Sequence, residues 1–160
     1  SFADIGASLQ AGRSLPDIDP SRLVVAGHSA GGTMALWVTG EEPEVRPDLA
    51  VSVAGMTDLV RAEEEDLGHG VITGLVGRRE SSTRDISPLH RLPTGIPTML
   101  ISCLADTLVG ASHAREFATA AGRLGDRSDL LEIPADHMAV LDPTDPASTL
   151  VVDAIAAGGV

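Results

Sequence analysis

The run LVVAGHSAGGTMALWV, residues 23–38, is the feature that most constrains how this chain can fold. An apolar stretch is interrupted by the small and polar cluster GHSAGG, residues 27–32, and then resumes. A short apolar stretch that is β-branched in its middle is typical of a buried strand, and the residues after the glycines suit a helix. The run therefore predicts a strand over 23–26, a sharp turn at Ser29 and a helix over 33–39.

Small residues around Ser29 explain the interruption in physical terms. Backbones crowd where a strand turns sharply into a helix, and we expect a Cβ atom to collide at Gly27 and Gly31, two positions either side of Ser29. The helix that begins after Ser29 presents unpaired backbone N–H groups, which favour a developing negative charge. Ser29 is therefore a candidate nucleophile.

The remaining pattern alternates helices with short apolar runs. Strands are predicted over 49–54, 98–103 and 129–133, and further helices over 2–13, 112–124 and 147–157, the last ending at Gly158 and Gly159. Such alternation predicts an α/β fold with a mostly parallel sheet and flanking helices. The 160 residues predict a single domain over 1–160. The pattern loses its periodicity over 58–97, which we interpret as either a lid or a long surface connection.

Composition excludes several classes of function. The chain has 23 acidic residues against 11 basic ones and a formal net charge of −12, which opposes binding to nucleic acid or to an anionic membrane surface. Its one cysteine, Cys103, excludes an internal disulfide, and no apolar stretch reaches the length of a membrane span. We expect a soluble, cytoplasmic protein. No spacing of His, Cys, Asp and Glu resembles a metal site, so we expect neither a metal nor another cofactor.

A serine hydroxyl becomes nucleophilic when a base accepts its proton, and here that base is expected downstream in the chain. His137 fits best, because it follows the strand 129–133 through a short loop and so reaches the carboxyl edge of the sheet, where ligands bind. The other four histidines fit less well. His28 adjoins the serine and is expected to point away from it, His69 and His90 lie in the irregular segment, and His113 opens a helix.

Two aspartates compete to orient that histidine. Asp106 follows the strand 98–103 at the same edge of the sheet and is the favoured acid. Asp58 follows the strand 49–54 and is the alternative acid. Asp136 adjoins His137 and is poorly placed to reach the Nδ1 atom of its ring. Asp106 and Asp58 could each instead cap a turn, which is a common role of aspartate in loops.

These segments together resemble the C-terminal part of an α/β-hydrolase fold. GHSAGG at 27–32, LADTLV at 104–109 and DHM at 136–138 are similar to the esterase and peptidase branch that includes kynurenine formamidase-like and prolyl-oligopeptidase-like members. The resemblance implies Ser29 as nucleophile, Asp106 as acid, His137 as base and the Ala30 N–H as one oxyanion donor. The implied activity is hydrolysis of a small ester, an amide or a short peptide.

This sequence also differs from that family, and the differences lead to further expectations. Family members have several strands before the nucleophile strand, and a loop among them supplies the second oxyanion donor. Because this sequence has no such segment before Ser29, we expect a truncated chain of low activity with an exposed edge at strand 23–26, prone to self-association. The alternative is an inactive α/β-hydrolase fragment that acts as an interaction module.

Overall fold

Four parallel strands form one sheet in the order β1-β2-β3-β4. The computed structural model describes residues 2–16, 19, 21–40, 46–70, 72, 74 and 82–158. The strands are β1 Val24–His28, β2 Leu49–Val53, β3 Thr98–Cys103 and β4 Ser128–Ile133. Each pairs in register with the next, so their carboxyl ends meet at one edge of the sheet. The predicted α/β fold with a parallel sheet is confirmed.

Helices connect the strands. They are α1 Phe2–Arg13, α2 Ala30–Trp37, α3 Leu59–Glu64, α4 Thr83–Ile86, α5 Ser112–Arg123 and α6 Pro146–Gly158, with 3-10 turns at Val38–Gly40, Pro88–Arg91 and Ala139–Leu141. Among the helices of the described residues, none combines the length and the apolar character that crossing a membrane requires.

The core lies on both faces of the sheet. Every residue of β2 is buried. On β3, Leu100 packs with α2 and α5 through Leu36 and Phe117, whereas its neighbour Ile101 belongs to a second cluster that includes Val151 of α6. Successive side chains of a strand point to opposite faces, so helices cover this sheet on both sides. By contrast β1, at the edge of the described sheet, is only half-buried.

Several helix and strand boundaries differ from the sequence predictions by one to three residues, and two of the helix differences involve glycine. The helix predicted over 33–39 begins at Ala30, so Gly31 and Gly32 lie in its first turn rather than before it. The closing helix continues through Gly158 rather than ending before it, and Gly159 lies outside the described residues. In both cases glycine is helical despite its weak helix propensity.

The segment 58–97 contains more regular structure than its sequence suggests. It holds α3, α4 and a 3-10 turn, and residues Leu59, Ala62 and Ile72 are buried together in a small core of their own. Asp58 caps α3, and a capping box of Ser82 and Asp85 starts α4. Helices of four to six residues are too short to show periodicity, so only their caps mark them in the sequence.

Candidate active site

Ser29 lies on a sharp turn between β1 and α2. Its backbone has φ 54° and ψ −120°, a left-handed conformation that is strained for any residue other than glycine. Its N–H donates to the Val53 carbonyl at 2.8 Å, which ties the turn to the end of β2. The strand, turn and helix predicted around Ser29 are all present, and the strained residue projects its hydroxyl at the carboxyl edge of the sheet.

Two glycines, Gly27 and Gly32, make this turn possible. The sequence predicts Gly27 and Gly31 for this role. A Cβ atom on Gly27 would overlap the carbonyl oxygen of Gly31, and one on Gly32 would lie 2.7 Å from the Ser52 hydroxyl. A Cβ on Gly31 would meet no such neighbour within 4 Å. The prediction of crowding was therefore right for Gly27 and wrong for Gly31, whose Cβ direction points into open space; Gly32 is the crowded residue.

The structure brings Ser29, His137 and Asp106 together. His137 Nε2 lies 3.0 Å from the Ser29 hydroxyl, and its Nδ1 lies 2.6 Å from Asp106 Oδ2. The partners assign the tautomer, because Nδ1 must donate to the carboxylate and so leaves Nε2 to accept from the serine. The Asp106 side chain is fully buried and that of His137 is 10% exposed, which shields the pair from water.

The loop after β3 holds the Asp106 carboxylate in place. Oδ1 accepts from the Leu108 N–H at 2.7 Å and the Val109 N–H at 2.9 Å, while Oδ2 faces His137. Hydrogen bonds on both oxygens fix the carboxylate plane. The carboxylate is thus preorganised beside the His137 ring.

Asp58, the alternative acid, lies elsewhere. Its Oδ1 accepts from the Val60 and Arg61 N–H groups at the start of α3 and from the Ser87 hydroxyl at 3.2 Å. The histidine that contacts Asp58 is His90, whose Nε2 lies 3.4 Å from the Asp58 Oδ1. The structure therefore does not bring Asp58 to His137, because the capping role described above for loop aspartates occupies its carboxylate.

Asp136 shapes the loop that carries the histidine. Its Oδ1 accepts from the Met138 N–H at 2.8 Å and the Ala139 N–H at 2.9 Å. The hydrogen bonds from Ala139 and then Met138 hold the pKa of the Asp136 carboxyl below its usual value. Asp136 thus acts on the backbone around His137 rather than on the His137 ring.

His28 makes a contact that its sequence position does not predict. Its Nε2 lies 2.7 Å from the His137 carbonyl oxygen, and the two rings lie 4.6 Å apart between centroids. His28 is expected from the sequence to point away from the serine, and its ring reaches the backbone of the histidine loop. Burial lowers the pKa of His28 below its ordinary value. The signal that the sequence offers for this contact is a polar residue beside Ser29.

A cavity of about 360 Å³ opens in front of Ser29 and His137. Met56, Leu67 and Leu108 contribute apolar walls, and Glu65 and Asp66 contribute carboxylates. The Arg61 Nε–H donates to Glu65 Oε1 at 2.7 Å, and this hydrogen bond lowers the pKa of the Glu65 carboxyl. The cavity thus places a mixed apolar and acidic surface beside the serine.

Ala30, the predicted oxyanion donor, is the first residue of α2. The first N–H groups of a helix have no carbonyl partner within that helix, and Ala30 lies at this position next to Ser29. Within the described part of the chain, no cluster of three or more His, Cys, Asp or Glu side chains could hold a metal ion.

A family model described as the prolyl oligopeptidase family matches residues 1–145. The chain belongs to this family. Its resemblance to the prolyl-oligopeptidase-like branch of the α/β-hydrolases is therefore confirmed. A comparison with curated protein sequences finds no match.

Solved esterases share the fold of this prolyl oligopeptidase family member. The propionate-bound form of an esterase from the Planctomycetes species Thermogutta terrifontis has a TM-score of 0.73 at 24% identity, covering 95% of this chain and 61% of the esterase. Thermogutta terrifontis esterase 2 phosphonylated by sarin has a TM-score of 0.76 at 23% identity, over 95% of this chain and 62% of that chain.

A truncated carbohydrate esterase from gut microbiota has a TM-score of 0.78 at 16% identity, covering 98% of this chain and 67% of that chain. At these identities the likeness shows the fold alone. The chain spans about 60% of the length of the Thermogutta esterases.

Proposed function

We propose that this protein is a serine hydrolase that cleaves a carboxylic ester or an amide through an acyl-enzyme. The observation that carries the proposal is the hydrogen-bonded chain from Ser29 through His137 to Asp106. Membership of the prolyl oligopeptidase family and the esterase identity of its structural neighbours support it. A small ester or amide, or a short peptide, would bind in the cavity beside Ser29.

In the first half of the reaction, the Ser29 hydroxyl attacks the substrate carbonyl carbon while His137 Nε2 takes its proton. Asp106 holds the imidazole and stabilises the imidazolium that forms. The carbonyl oxygen becomes an oxyanion that the Ala30 N–H meets. His137 then gives the proton to the leaving alcohol or amine, the carbon–heteroatom bond breaks, and the acyl group remains on Ser29.

In the second half, water attacks the acyl carbon and gives its proton to His137, which returns it to Ser29 as the acid is released. No second oxyanion donor is assigned among the described residues, and removing one such donor costs about 10²–10³-fold in turnover. We therefore propose that the 160-residue chain turns over slowly.

A fluorophosphonate probe tests this proposal without requiring turnover. Thermogutta terrifontis esterase 2 is phosphonylated by sarin, a reaction of the same chemical type. We expect labelling of the protein at Ser29, none in Ser29→Ala, and unchanged labelling in Ser148→Ala, a control on α6. If folded protein stays unlabelled, the proposal fails and the alternative, a non-enzymatic interaction module, is favoured.

A further inference from the structure

Two adjacent residues of the turn contact His137 at two different points. Ser29 Oγ meets the Nε2 of the His137 ring at 3.0 Å, and the ring of His28 meets the His137 carbonyl oxygen at 2.7 Å. Since a carbonyl oxygen only accepts, His28 Nε2 must carry the proton and donate it. The contact joins positions 109 residues apart in the chain, at the end of β1 and in the loop after β4.

We infer that His28 is a positioning residue that fixes the loop of His137 against the turn of Ser29. The inference rests on the proposed function, because it concerns the geometry of the same serine and histidine. The hydrogen bond between Ser29 and the His137 ring does not by itself fix the backbone of the histidine loop against the turn. A second contact, from His28 to the His137 carbonyl oxygen, joins that backbone to the turn and holds the base within reach of the serine.

The other contacts of His137 do not replace this one. Asp106 holds the far side of the ring from the β3 loop, and Asp136 bonds only to amides within its own loop. Neither contact joins the histidine loop to the turn that carries the nucleophile. Proximity of the reacting groups accounts for a large part of catalysis, so a small displacement between Ser29 and His137 lowers the rate.

The surroundings of His28 favour the neutral form of its ring, which still donates a hydrogen bond. The tilted rings of His28 and His137 lie 4.6 Å apart, so a charge on His28 would repel the proton that His137 gains during the reaction. Burial lowers the pKa of His28, which favours the neutral ring, and the proximity of His137 lowers it further. The Asp106 carboxylate and the hydrogen bond to His137 act in the opposite direction. A neutral His28 donates its hydrogen bond without opposing the imidazolium.

Two substitutions separate the hydrogen bond from the bulk of the ring. His28→Phe keeps an aromatic ring and removes the donor, whereas His28→Gln keeps an N–H at a similar reach. His90→Phe is the matched control, because His90 contacts Asp58 and lies outside the site. Two rates are measured for each variant: kcat for p-nitrophenyl acetate hydrolysis and the rate of fluorophosphonate labelling at Ser29. Thermal unfolding confirms that each variant is folded.

We expect His28→Phe to lower kcat and the labelling rate about 3- to 10-fold, the effect of one ordinary hydrogen bond, with KM nearly unchanged. We expect His28→Gln to restore both rates to within about twofold of the wild-type protein, and His90→Phe to leave them unchanged. Equal rates in folded His28→Phe and wild-type protein would overturn the inference. So would a loss in His28→Gln as large as in His28→Phe, or a rise in KM at constant kcat.

A ¹⁵N NMR spectrum of the histidine rings gives a readout that is independent of activity. We expect His28 as the neutral Nε2–H tautomer near pH 7, with its Nε2 proton protected from exchange by the His137 carbonyl. The Nδ1–H tautomer, or rapid exchange of the Nε2 proton, would overturn the inference. If the wild-type protein is neither labelled nor active, the proposed function fails, and this spectrum alone decides whether His28 holds the loop.

Discussion

Gly27 lies directly against the carbonyl oxygen of Gly31, so close that a Cβ atom on Gly27 would overlap it. Gly31 itself has open space around its Cβ direction. The two glycines flank Ser29 symmetrically in the sequence, but the structure has room for a side chain at Gly31 and none at Gly27. Substitution by alanine can measure this difference.

We predict that Gly27→Ala destabilises the fold by about 1–3 kcal/mol, the usual cost of overpacking, and moves Ser29 enough to abolish fluorophosphonate labelling. Gly31→Ala should leave labelling intact and stabilise α2 by up to about 1 kcal/mol, because alanine favours the helix over glycine. Urea unfolding and labelling of both variants check this pair. Equal tolerance of both substitutions would contradict the packing described for the turn.

The two candidate acids give a second comparison. We predict that Asp106→Asn lowers kcat about 10³–10⁴-fold, because the amide favours the wrong histidine tautomer. Asp58→Asn retains an oxygen that can cap α3 and should keep kcat within about threefold. Ester hydrolysis by both variants, with circular dichroism as the folding control, checks this. The reverse ranking would reassign the acid to Asp58.

Acid should act on the histidine loop through Asp136. Amide hydrogen bonds lower the Asp136 pKa in the folded state from its usual 3.8, so the unfolded chain binds more protons over this range. The stabilisation is therefore present above about pH 4 and is lost as the pH falls through the lowered folded pKa. Melting temperatures between pH 6 and pH 2.5 should fall less steeply for Asp136→Asn than for wild type. Parallel curves would refute this.

Cys103 should be inert in the folded protein. It is buried at the end of β3, and burial raises the pKa of its thiol to about 11. The reactive thiolate is therefore scarce at pH 8, and reagents cannot reach the sulfur. We predict that a thiol reagent labels Cys103 only in denaturant, with a midpoint that matches unfolding followed by circular dichroism. Rapid labelling of native protein would show that β3 is open to solvent.

The edge of the sheet at β1 should govern self-association. Val24 and Val25 are half-buried, Ala26 is exposed, and β1 has no Lys or Pro to discourage pairing with a second copy of the chain. We predict that the wild-type protein forms oligomers and that Ala26→Lys shifts it toward monomer in light scattering. A monomeric wild-type protein at high concentration would contradict this prediction.

Much of this architecture could be predicted from the sequence because its signals are local. Strand β3 and helix α1 have the predicted bounds, since apolar runs and helical spacing mark them directly. Ser29 could be placed because a strained turn needs small neighbours, and His137 and Asp106 because loops after parallel strands share one edge.

Other features depend on contacts that no spacing records. The partner of His28 is a backbone carbonyl, which every residue possesses, so nothing in the sequence marks it. Gly31 and Gly32 differ only in the direction of a missing Cβ atom. Asp58 and Asp106 each follow a strand of the sheet within a few residues, and only the contacts of Asp58 with α3 and Ser87 distinguish its surroundings from those of Asp106.

The segment between β2 and β3 has a consequence for how such a protein can diversify. It contributes Glu65, Asp66 and His69 to the cavity beside Ser29, yet Ser29, Asp106 and His137 all lie outside it. Its small core of Leu59, Ala62 and Ile72 is separate from the two clusters on the sheet. Mutations there can reshape the cavity while Ser29, His137 and Asp106 stay in place, so under the proposed function selectivity and chemistry can evolve independently.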